Sequence, residues 1–248
     1  MNYIKNGPNF TVVVNDRVYT FGMDHPNHAV LVECIKADNQ DLFVDSISIG
    51  QKVQKWSKGG FEFRGGILFY QDRELNPIIS ELVQDMIEEG FDETPILNFM
   101  ANLYENPSNH AVEGLYDWLK HKSLAITSDG HFLAYKYVSE YAGDDFVDKM
   151  GRPVKSGDYV DSHSETYRNN VGDFNEMPRN AVNDNRSLAC ESGFHVGTLS
   201  YVKGSKHIVI CKINPKDVVS IPMDSNCQKI RCCEYTVVSE YRELGLVE

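Results

Sequence analysis

An α+β fold is predicted, on three observations. Short alternating apolar runs flanked by turn residues open the chain, apolar stripes at helical spacing fill its middle, and further strand-like runs close it. Strands and helices are segregated along the chain, not alternated, which separates α+β from α/β.

Phe10-Thr11-Val12-Val13-Val14 and Val18-Tyr19-Thr20-Phe21 are joined by Asn15-Asp16, a turn signal, and read as a β-hairpin. Asp24 then caps and Pro26 opens a helix carrying Ala29, Val30, Val32, Cys34 and Ile35. Leu42, Val44, Ile47 and Ile49 extend helical structure to Gly50. Phe61-Glu62-Phe63 and Ile67 to Tyr70 form a second hairpin around Arg64-Gly65-Gly66, where glycine supplies positive φ at little steric cost.

Three helices follow. Asn76-Pro77 starts one with Ile78, Ile79, Leu82, Val83, Met86 and Ile87 inward, ending at Gly90. Thr94-Pro95 starts a second, broken at Asn106-Pro107-Ser108, and the third runs to about Lys122. Beyond it, Leu124 to Thr127 is extended, Ser128-Asp129-Gly130 turns, and Phe132 to Val138 is a strong strand. Residues 142–186 are polar and glycine-rich, a length and composition often given to function. Residues 207–213, 218–221 and 235–238 complete a C-terminal mixed sheet. The expected boundary near 121–130 divides the chain into 1–123 and 124–248.

At 248 residues such a chain buries roughly 70–75% of its unfolded surface, so no staple is needed. With 42% hydrophobic and 24% charged residues, disorder is a poor reading. The formal charge of −12 argues against extended nucleic-acid binding, which needs dense Lys and Arg. No apolar run approaches a transmembrane length, and Pro8-Asn9 interrupts any signal sequence. The six cysteines lack a CxxC pair and are expected as free thiols in a reducing cytosol.

Chemistry is sparsely signalled. There is no phosphate loop, no GxGxxG and no GxSxG elbow. Cys190-Glu191-Ser192-Gly193-Phe194-His195 places an imidazole at a strand edge. Asp161-Ser162-His163-Ser164-Glu165-Thr166 is either a proton relay or an Asx/Ser turn with a solvated histidine. Cys190, Cys232, Cys233, His163 and His195 are chemically able zinc ligands, but adjacent Cys232-Cys233 fits one tetrahedral ion poorly, and no metal is expected. Lys136, Arg152, Arg168, Arg179 and Arg186 are raw material for an anion pocket or ordinary surface charges. The candidate ligand-binding residues are Tyr135, Lys136, His163, Arg179, Arg186 and His195, with no cofactor and no assigned catalytic residue.

Several phrases carry a family likeness: Ile126 through Lys136, Asp161 through Thr166, Gly172 through Arg179, Cys190 through His195, Lys212 through Pro222, and Arg231 through Tyr235. Over about residues 94–238 the chain resembles the bacteriophage rIIB-like (rapid-lysis B) family. The resemblance implies a phage accessory protein, acting in lysis control or against prophage exclusion through a host or phage protein partner. Membrane association would then come through that partner. It brings no catalytic residues, and the DNA-binding-like N-terminal segment of larger members is not carried over to a chain that opens with a hairpin. Tyr135-Lys136-Tyr137 followed by Gly193-Phe194-His195 also loosely resembles the ADP-ribosyltransferase fold, which implies a small anionic nucleotide or NAD-like ligand, with Glu234 near the catalytic glutamate position.

Overall fold

The computed structural model describes residues 1–23, 25, 28–47, 60–64, 67–75, 77, 79–80, 83, 94–121 and 125–242. They form two compact units, Met1–Glu93 and Thr94–Glu248.

In the first unit, β1 (Asn2–Asn6), β2 (Asn9–Val14) and β3 (Arg17–Phe21) form an antiparallel sheet. The β2–β3 hairpin is the one expected: Asn15 and Asp16 both take positive φ, the backbone of a tight two-residue turn. Alternation buries Phe10, Val12, Val14 and Phe21 against Leu31, Cys34 and Ile35 of α1 (His28–Lys36) and Phe43 of α2 (Gln40–Ile47). The second expected hairpin is β4 (Phe61–Arg64) and β5 (Ile67–Tyr70), extended by β6 (Arg73–Glu74). The helix expected over 76–90 lies mostly outside the described residues, as do Asp24, Pro26, Ile49, Gly50 and the Gly65-Gly66 turn. Its described positions Pro77, Ile79, Ser80 and Val83 are helical, and Ser80 Oγ accepts from the Leu68 amide at 2.9 Å.

The second unit begins with α3 (Thr94–Tyr104) and α4 (Asn109–His121), so the boundary falls before these helices and not after them. The cause is packing. Asn98 Nδ2 donates to Ser128 O at 2.7 Å, and Asn102 Nδ2 donates to Asp129 O at 3.1 Å. Trp118 Nε1 donates to Cys227 O at 2.7 Å, and a Cβ on Gly114 would stand 2.7 Å from Ile221 Cδ1.

Then come β7 (Ala125–Ile126), β8 (Phe132–Glu140), β9 (Phe146–Val147), β10 (Pro153–Val154), β11 (Tyr159–Asp161) and β12 (Phe174–Glu176). The chain continues through β13 (Phe194–Gly197), α5 (Leu199–Val202), β14 (His207–Ile213), β15 (Val218–Ser220), β16 (Lys229–Cys232) and β17 (Glu234–Glu240). The main sheet runs β12-β17-β14-β8-β13-β16-β15, with β7 and β11 also on β8. Every described pairing is antiparallel, so the expected mixed sheet is corrected. β16 and β17 are separated by Cys233 alone, yet lie in opposite halves of the sheet. One nearly continuous strand therefore passes from one half to the other, and the sheet curls until Phe194 and Tyr235 meet edge-on at 5.0 Å.

All six cysteines are free. No helix among the described residues is long and apolar enough to cross a membrane.

Candidate functional site

Strand β8 is paired along one side by β14, from Phe132 opposite Ile213 to Val138 opposite His207. Its other side changes partner: β7 at Phe132 and Leu133, β13 at Tyr135, and β11 from Val138 to Glu140. Lys136 and Tyr137 fall between the last two. A cleft of about 410 Å³ opens there, walled by the 161–167 turn, by residues 190–195 and by Tyr201. That is a size natural ligand sites use.

Lys136 forms the floor. Alternation along Phe132, Ala134, Lys136 and Val138 turns it to the buried face. Its Nζ lies 3.0 Å from Asp161 Oδ1, donates to His195 O at 3.4 Å and stands 5.7 Å from the Tyr235 ring centroid. Burial pulls the ammonium down, but the charge of Asp161 outweighs it and holds Lys136 above the usual lysine range. The ammonium thus takes up a β13 carbonyl where strand pairing is interrupted.

The 161–166 segment is a turn. Glu165 N donates to Asp161 O at 2.9 Å with Glu165 at φ 52, and Ser164 Oγ donates to Asp161 Oδ2 at 3.1 Å. His163 Nε2 is hydrogen-bonded to the Tyr137 hydroxyl. On the opposite wall, burial lowers His195 from 6.5 to about 4, helped by the positive charges of Lys136, Lys229 and Arg231. His195 is a neutral imidazole near pH 7, and its Nε2 is buried without a partner.

Behind the floor the network continues. Tyr235 Oη donates to Asn169 Oδ1 at 2.5 Å, and Asn175 Nδ2 donates to Tyr235 Oη at 3.0 Å. Arg152 Nη2 reaches Asn175 Oδ1 and Asp148 Oδ2, both at 2.6 Å. Arg168 pairs with Asp173 through Nε at 2.9 Å and Nη2 at 2.8 Å. Side-chain bonds therefore brace the polar 142–186 segment, where only two- and three-residue strands form.

Lys136, His163 and His195 converge on the cleft. The other three candidates lie elsewhere. Tyr135 packs its ring against Tyr241 at 5.5 Å. Arg179 donates to Lys216 O at 2.7 Å, Val218 O at 2.9 Å and Asn106 Oδ1 at 2.9 Å. Arg186 Nε donates to Ile221 O at 3.0 Å. With Arg152 and Arg168 spent on Asp148 and Asp173, the five basic residues do not gather into one anion pocket. His195 stands on an interior strand between β8 and β16, not at an edge. Glu234 lines a separate hollow with His131 and Lys212 and does not share the cleft with His195, so the expected likeness to the ADP-ribosyltransferase fold is not supported. Cys232 and Cys233 face Phe194 O and Asp217 O, and neither lines the cleft.

Sequence reasoning missed Tyr137, Lys149, Tyr167 and Tyr201 in the walls. Tyr137 was findable as the neighbour of an inward lysine; Tyr201 comes from a four-residue helix with no sequence signal.

Comparison with known proteins matches this site-bearing unit. The family described as "Bacteriophage T4 protein rIIB" matches residues 58–243. "Protein rIIB" of Enterobacteria phage T4 is 34% identical over 223 residues, which cover 88% of this chain and 66% of that protein. The chain therefore spans just under two thirds of that relative's length. No solved structure matches. The match runs from β4 through β17, across every wall of the cleft, and the chain belongs to the bacteriophage T4 rIIB family.

Proposed function

We propose that this chain is a phage accessory protein that modulates lysis or counters host or prophage exclusion by binding a protein partner, without catalysis. Family membership supplies the setting. The observation that carries the binding reading is the braced surface around the cleft. The polar groups at it and beneath it are engaged with one another, as Tyr137–His163 at the rim and Lys136–Asp161 and Tyr235–Asn169–Asn175 below. A preorganised surface loses little entropy when a partner docks. The protein then works in the host cytoplasm, reaching the membrane only through its partner.

A pull-down from infected cells with the tagged full chain tests this. One specific host or phage protein is expected with wild type, and it should be lost when the rim is altered by His163→Asp with Glu191→Lys. Recovery of nothing beyond background would remove the proposal.

A second reading is favoured by the neutral His195 and the buried ammonium of Lys136 in one cleft. In it the cleft holds a small anionic nucleotide or an NAD-like ligand, as a sequestering site and not a transferase. Saturation at a hundred times Kd stabilises a fold by about 2.7 kcal/mol. NAD, ADP-ribose or a cyclic nucleotide should then raise Tm in proportion to the logarithm of its concentration. A flat panel would sink this reading.

A further inference from the structure

The sheet of the first unit has an open edge at β1. This strand pairs with β2 at five successive positions without a bulge, and among the described residues no strand covers its other side. Sheets usually blunt such an edge with a bulge, a proline or several charges. Here Pro8 lies outside the strand, and Lys5 is the one charged side chain within it. Alternation sends Asn2, Ile4 and Asn6 to the face opposite the helices, and the register continues that face as two rows, Asn2–Val13–Val18 and Ile4–Thr11–Thr20. Neither row holds a charge, in a chain whose formal charge is −12. Ile4 is 70%, Val18 67% and Val13 40% exposed, so branched apolar side chains stand in water beside an unpaired edge.

The edge is complementary to itself. Gly7-Pro8 forms a two-residue turn between Asn6 and Asn9, which makes that pair hydrogen-bonded and commits the main-chain groups of Asn6, Ile4 and Asn2 to β2. Tyr3 and Lys5 therefore turn theirs to the free side. Antiparallel pairing of two copies about a two-fold axis at Ile4 sets Tyr3 opposite Lys5 of the second copy, where the two exchange both main-chain hydrogen bonds. Ile4 meets Ile4 and Asn2 meets Asn6 on the uncharged face. On the other face Lys5 Nζ stands 5.4 Å from the Phe10 ring centroid and the Tyr3 ring 6.4 Å from it, so the cation joins aromatic rings and no second cation. The next register toward the turn would oppose Lys5 to Lys5, and like charges directly opposite destabilise a sheet. The register on the other side would set Ile4 against Asn2.

We propose that β1 is a self-association edge: a second copy of this chain adds its own β1 there, and the two sheets become one continuous antiparallel sheet with a shared uncharged face. Main-chain bonds supply the attraction, and the single Lys5 in each strand sets the register. The edge belongs to the first unit and the cleft to the second, so the pairing is independent of the function proposed above.

Light scattering of the full chain over a concentration series reads the mass. Wild type should rise from 28.1 kDa toward twice that value. Ile4→Lys and Ile4→Glu, each at an exposed position, oppose two like charges on the axis and should each raise the dimer Kd by about tenfold or more. An equimolar mixture of the two variants should recover the dimer, since lysine then faces glutamate; misfolded variants would not do so. Thr20→Lys, on the same face but in β3, should leave Kd within about twofold of wild type. A wild type that stays at 28.1 kDa up to about 1 mM overturns the proposal. So does a dimer indifferent to Ile4→Lys, a mixture that remains monomeric, or a dimer lost in Thr20→Lys but kept in Ile4→Lys, which would put the pairing at β3.

Discussion

Gly130→Ala is expected to lower the stability of the C-terminal unit by about 4 kcal/mol, the range reserved for substitutions that break a specific contact. Gly130 holds φ +76, which strains any L side chain, and an added Cβ would stand 2.2 Å from the Asn98 carbonyl carbon and 2.4 Å from the Phe99 amide nitrogen. Those neighbours are helix backbone and cannot step aside. The turn would be pried from α3, taking with it the Asn98 and Asn102 bonds to residues 128–130. Gly151→Ala is the control: its φ is +77, yet nothing lies within 4 Å of its added Cβ. It should cost only about 1 kcal/mol, from backbone strain alone. Urea unfolding followed by fluorescence, including that of Trp118, measures both. Equal costs for the two variants would show that the helix–turn contact contributes nothing.

Asp148→Ala should cost about 3–5 kcal/mol, the usual loss when one member of a buried charge pair is removed. The Asp148 side chain is fully buried. Its carboxylate accepts from the Met150, Arg152 and Arg168 amides at 3.0, 2.8 and 3.0 Å, and from Arg152 Nε and Nη2 at 2.9 and 2.6 Å. Burial alone would raise its pKa, but the bonds from Arg152 and the backbone outweigh it and hold Asp148 below the usual carboxylate range. The sign follows. A carboxyl more acidic when folded contributes stability that is complete above the unfolded value, about 3.9, and is lost as pH falls through the folded one. Wild type should therefore lose stability as pH drops below about 4, and the variant should show a shallower acid slope. An unchanged slope would show that the Asp148 carboxylate does not hold the 142–186 segment together.

Much of the fold was legible. The β2–β3 hairpin, α3, α4, β8 and β14 each carry one clean period, so local pattern and packing agree. β16 was not legible, because Lys229 and Arg231 alternate with Ile230 and Cys232, yet all four are buried. A strand with cations at inward positions reads as surface. β1 was missed for the opposite reason: every residue in it is exposed, so it has no buried face to show. The boundary was misplaced because the apolar faces of α3 and α4 declare that they are covered without saying by which sheet. For the site, Lys136, His163 and His195 could be chosen by residue type. Arg179 and Arg186 could not be excluded, since a guanidinium committed to backbone carbonyls looks like a free one until distances are known.

The divided edge of β8 has a consequence for how this fold can drift over generations. Lys136 reaches Asp161 only because side chains alternate between faces without interruption from Phe132. One residue inserted between Phe132 and Lys136 would invert that parity and turn Lys136 away from Asp161, a tyrosine flanking it on either side. These five positions are therefore locked to a fixed count.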